Sequence, residues 1–90
     1  MTDADLLTLT KSNLQITSSA YDAYLSHLIG AAKNEIAREG ITLSLDAIDD
    51  CNLVVMYASY LYRKRAEDGP MPRMLRYALN NRLFAEKVGG

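Results

Sequence analysis

His27 is the only histidine and Cys51 the only cysteine in these 90 residues. A histidine moves protons near neutral pH only beside a nucleophile, a carboxylate or a metal. Its neighbours one helical turn away, Tyr24 and Ala31, supply none of these. His27 therefore reads as a partly exposed helix residue. Cys51 has no second cysteine to pair with, and a zinc site would need further nitrogen or sulfur ligands. It reads as a small core residue. Asp46, Asp49 and Asp50 form the densest acidic cluster. Hard cations want oxygen ligands converging from a loop. These three fall on the first turns of a helix, where capping accounts for them. The sequence carries no Gly-rich phosphate loop and no nucleophile elbow. The expectation is a protein that is not an enzyme, with no cofactor and no metal.

The remaining polar chemistry is that of surfaces. Tyr21, Tyr24, Tyr57, Tyr60, Tyr62 and Tyr77 supply nearly all the aromatic content. Tyrosine packs a ring while keeping a polar tip, which suits interfaces. Most are expected at the edge of the core, and some at a contact with another chain. Residues 1–50 carry three basic and eight acidic side chains, and residues 51–90 carry seven and three. The net charge of −1 thus hides an acidic front half and a basic back half. Arg63, Lys64, Arg65, Arg73, Arg76 and Arg82 could grip a phosphate backbone or form a solvated face. They could also meet the acidic side of a neighbouring copy in a head-to-tail ring.

Helices must position these groups, because no stretch shows the two-residue alternation of a strand. The first is expected from about Asp5 to Leu14, capped by Thr2 or Asp3, with Leu6, Leu7, Leu9 and Leu14 on its apolar side. Its threonines make it weak by propensity, so packing must hold it. The second is announced by Ser19 three residues before Asp22 and ends at Gly40. Tyr21, Leu25, Leu28, Ile29, Ala32 and Ile36 form its stripe. The third is expected from near Asp46 to about Glu67. Leu53 to Ala58, with Tyr60, Leu61 and Tyr62, make it apolar almost all round, so it should be central or face a neighbouring subunit. Asp68 to Pro72 reads as a turn. The fourth starts at Pro72 and runs to about Glu86, with Met74, Leu75, Ala78, Leu79 and Leu83 inward. Val88 to Gly90 reads as a frayed end. The fold class is all-α: one domain, residues 1–90, a small four-helix bundle with a central apolar third helix.

A chain this short buries a thin core, yet 49% of its residues are hydrophobic. Part of that supply is expected to be covered by other chains. The acidic start is unlike a signal peptide. No apolar run approaches the roughly 20 residues of a membrane span, so no membrane partner is expected.

The stretch Met71-Pro72-Arg73-Met74-Leu75-Arg76-Tyr77-Ala78-Leu79-Asn80-Asn81-Arg82-Leu83 resembles the C-terminal helix of the small head–tail connector proteins of long-tailed double-stranded DNA phages and prophages. Ile16-Thr17-Ser18-Ser19 before a helix bearing Tyr21, Asp22, Leu28, Ile29, Ala31 and Ala32 is similar too, as is Tyr60-Leu61-Tyr62-Arg63. The likeness covers roughly residues 4–87 and rests on helical, non-catalytic motifs. It implies a homo-oligomeric ring that docks on the portal protein, extends the DNA channel and receives head-closure or tail proteins. The implied location is the virion neck, after a period in the host cytoplasm. Such proteins are also described as DNA-packaging proteins. Contact with packaged DNA would be transient, since a wall past which DNA slides should not hold phosphates tightly. The chain stops soon after the last helix, which implies a very short arm toward the portal or a different contact with it.

On this reading Arg63, Arg65, Arg73, Arg76, Arg82, Tyr60 and Tyr77 are candidates for subunit or portal contact. Asp46, Asp49 and Asp50 form the candidate acidic counter-face. The alternative is a small helical nucleic-acid-binding protein using the basic half. It wants a recognition helix with an exposed basic and polar face, and no short helix–turn–helix is evident.

Overall fold

The computed structural model describes residues 1–66 and 69–89. The expected end of the third helix at Glu67, the turn residue Asp68 and the terminal Gly90 lie outside the described residues. The described residues form four helices and no strand: α1 Asp3–Leu14, α2 Asp22–Arg38, α3 Ile48–Lys64 and α4 Arg73–Gly89. The protein is a small all-α bundle.

Thr2 starts α1 with a full capping box. Its hydroxyl accepts from the Asp5 N–H at 3.2 Å, and its own N–H donates to the Asp5 carboxylate at 3.0 Å. Those bonds, the backbone one first, hold the Asp5 carboxyl below its ordinary pKa. Thr10, fully buried, satisfies its hydroxyl by donating to the Leu6 carbonyl at 2.8 Å. That bond explains how a weak helix former sits in a core.

The start of α2 differs from the expectation. Tyr21 takes the cap position without a side-chain bond. Ser19 instead offers its carbonyl to the Asp22 N–H in a turn, and Asp22 is drawn to Lys11 of α1 at 2.8 Å. Tyr21 is exposed, while Leu25, Leu28, Ile29, Ala32 and Ile36 are buried as one stripe. Gly40, at φ 98°, ends the helix in the left-handed region.

The cap expected from the aspartates of α3 is also absent: Ala47 precedes the helix with no side-chain bond. α3 packs against α1, α2 and α4, whereas α4 meets the rest of the bundle chiefly through α3. Cys51, Leu53, Val54, Val55, Tyr57 and Ala58 put α3 into the core, but Met56, Tyr60, Leu61 and Tyr62 are only half-buried. Burial of Tyr57 pushes its phenol up from the ordinary value.

The molecule is 18 Å through its shortest axis. Two helix layers of about 10 Å each fill that depth. Each helix therefore has one side near solvent, and α4 shows the consequence. It buries Leu75 and Leu79 and half-buries Ala78 and Leu83. Met74, expected inward, is 75% exposed. It lies a full turn before Ala78 on the side of the helix away from Leu79, so it cannot reach the core.

Candidate functional site

The candidate residues divide into those the bundle uses internally and those it leaves outside. Arg82 and Asp50, expected on two separate outward faces, meet each other. Asp50 is 3% exposed. Arg82 donates to both its oxygens, at 2.7 and 3.3 Å, to Glu86 at 2.9 Å and to the Thr42 carbonyl at 2.7 Å. The Ser44 N–H adds a further bond to Asp50 at 2.8 Å. Desolvation is the largest influence on Asp50 and raises its pKa, but the bonds from Arg82 and Ser44 together outweigh it and hold the carboxyl below its ordinary value. Glu86 is lowered as well, first by Thr42 and then by Arg82, and the Arg82 guanidinium is raised. A carboxylate this buried is tolerated only when paired and hydrogen-bonded. The network therefore staples α4 and the segment between α2 and α3 onto α3. Asp50, expected on the acidic counter-face, and Arg82, expected at a subunit or portal contact, are thus engaged with each other inside the bundle.

Arg76 is engaged too. Its guanidinium forks onto the Glu39 carboxylate at 2.8 and 3.3 Å, joining the start of α4 to the end of α2. Arg65 lies over the ring of Tyr62 at 4.2 Å, and over Tyr21 and Tyr24 at 5.5 Å each. It also donates to the Tyr62 hydroxyl at 2.9 Å. This is a surface cluster of one cation and three rings, built from α2, α3 and their cap residues Tyr21 and Arg65. Tyr60 is half-buried, edge-on to Tyr57 and under the Lys64 ammonium at 5.8 Å.

Arg63, Arg73, Asp46, Asp49 and Tyr77 face outward. Arg63 lies beside the cleft between the ends of α1 and α3 and the start of α4, with Asn13, Ser59 and Met74. Asp49 lines the other end of the α3–α4 cleft, with Asn52, Met56, Ala78 and Asn81. Tyr77 is not alone. Met74 (75% exposed), Tyr77 (67%), Phe84 (70%) and Val88 (69%) lie on one outer side of α4. Sequence reading missed this side. Its signal in the sequence is a second stripe at helical spacing, which an inward Met74 and a frayed end at Val88 conceal.

Among the described residues no three His, Cys, Asp or Glu side chains gather as a metal-holding cluster. His27 is exposed, and the buried Cys51 thiol donates to the Leu45 carbonyl at 3.2 Å. No described helix is long and apolar enough to cross a membrane. Compared with protein-family models, curated proteins and solved structures, the chain matches none.

Proposed function

We propose that this chain is a structural assembly protein, a ring-forming connector that docks on a phage portal and receives head-closure or tail proteins around the DNA channel. The observation that carries the reading is α4. The stretch that resembles the connector helix supplies α4 from Arg73 to Leu83, and the whole helix turns Met74, Tyr77, Phe84 and Val88 away from its own core. Exposed apolar side chains grouped on one face are the mark of a surface that another protein covers. Its place of work is then the virion neck, reached from the host cytoplasm.

Two observations bear on the alternative, a nucleic-acid-binding module. Arg76 and Arg82 are tied to carboxylates of the chain itself, which weakens it. Arg63 and Arg73 remain outward at one end of the bundle, which keeps a small basic patch available.

The test is native mass by light scattering, with and without a purified portal ring, followed by duplex DNA at low and moderate salt. The connector reading expects portal-dependent capture of many copies. DNA binding that falls steeply as salt rises, without portal capture, would replace it by the alternative. Charge reversal is cleanest at Arg73. Arg76→Glu would set a second carboxylate against Glu39 and disturb the fold itself. Arg73→Glu is expected to weaken assembly with helical circular dichroism unchanged.

A further inference from the structure

We propose that two free copies of this chain pair antiparallel through the outer side of α4, about a two-fold axis beside Asn81. Met74, Tyr77, Asn81, Phe84 and Val88 succeed one another at spacings of three and four, and all five are exposed. That spacing is the seam of a helix that packs along another helix. The opposite side of α4 is already occupied by buried Leu75 and Leu79 and by the ion pairs of Arg82. The outer seam is thus a second apolar stripe for which the chain has no use of its own. It is continuous with the α3–α4 cleft, since Met74 and Asn81 border both. Ala78 and Ala85 on the cleft wall are small enough to let a second helix approach closely.

Charge selects the occupant and its direction. Among the described residues, Asp46 just before α3 and Asp49 in its first turn have no ion-pair partner, and neither do Arg63 in its last turn and Arg73 at the start of α4. The 17 residues of α3 separate the two ends by about 25 Å. Lys87 sits at the acidic end, where two carboxylates outnumber it. A parallel pair would set like charge against like. An antiparallel pair sets Arg63 and Arg73 of each copy beside Asp46 and Asp49 of the other, twice over. A surface with opposite signs at its two ends is complementary to its own reversed copy. A uniformly acidic or uniformly basic partner would fit only one end. Asn81, near the middle of the seam, then faces its own counterpart, where paired amides fix the register.

Such a pair closes on itself, unlike a head-to-tail ring contact. It covers the side that the connector reading gives to a portal or ring neighbour, so it is the form of the chain before docking. The inference rests on that reading only for what later replaces the pair; the pairing itself needs no portal.

The test uses sedimentation equilibrium of the whole chain, with single-cysteine variants made in a Cys51→Ala background. A concentration-dependent dimer is expected, weakened about tenfold or more by Phe84→Glu with helical circular dichroism intact. Under mild oxidation Asn81→Cys should link to itself, and Met74→Cys should link to Val88→Cys but not to itself. A monomer at every concentration, or efficient self-linking of Met74→Cys, would overturn the proposal. Portal capture of a chain that never dimerises would sink the pair and leave the connector reading standing. A dimer that no portal captures would do the reverse.

Discussion

Arg82→Met removes the charge that faces Asp50 while keeping an apolar stem of similar length. The Asp50 side chain is 4% exposed and that of Arg82 23%. Breaking a fully buried pair costs about 3–5 kcal/mol, because one charge is left without a partner. Arg82 keeps part of its hydration, and Asp50 keeps its bond from the Ser44 N–H, so the expected loss is about 2–3 kcal/mol. That is a large share of the roughly 5–15 kcal/mol that holds a small domain together. Adding Asp50→Asn removes the orphaned charge and retains an acceptor for Ser44. The double variant should therefore lose less than Arg82→Met alone, about 1–2 kcal/mol in all. Urea unfolding followed by helical circular dichroism, extrapolated linearly to water, measures all three variants. A double variant as unstable as the sum of its parts would refute the argument. So would an Arg82→Met protein within about 0.5 kcal/mol of the parent, which would mean that the pair is worth no more than one on the surface.

The same network sets an acid dependence. Folded Asp50 has a lowered pKa, so its contribution is present above the unfolded value of about 3.9 and is lost as pH falls through the folded value. Stability should be flat from about pH 5 to 8 and fall below about pH 4, with a shallower acid limb in Asp50→Asn when both are followed by thermal melts at stepped pH. Thr2→Ala deletes the hydroxyl that accepts from Asp5, and chemical denaturation should show a loss of about 1 kcal/mol. Gly40→Ala forces a side chain into φ 98°, yet its Cβ would meet only Leu83 Cδ1 at an ordinary 3.5 Å. The expected cost of about 1–2 kcal/mol is backbone strain alone, read as a lower melting temperature with unchanged helix content.

The sequence by itself determined that there are four helices and roughly where they lie, though not how α2 and α3 are capped or that α4 runs on through Val88. Leu25, Leu28, Ile29, Ala32 and Ile36 recur at one period, Thr2 stands three residues before Asp5, and Gly40 follows the last turn of α2. Each of these is a local signal, carried by residues close enough in the chain for backbone geometry to bring them together. It also showed an apolar share of 49% in a chain of only 90 residues. What only the tertiary structure decided is which side chains remain available. Asp50 and Arg82 are 32 residues apart, and no periodicity links them. Burial makes the carboxylate demand a cation, and the one in reach lies on another helix. Arg76 and Glu39, 37 residues apart, are joined in the same way. α4 carries two apolar stripes, and its sequence does not rank them. Packing against α3 chose the one through Leu75 and Leu79, and so left Met74, Tyr77, Phe84 and Val88 exposed.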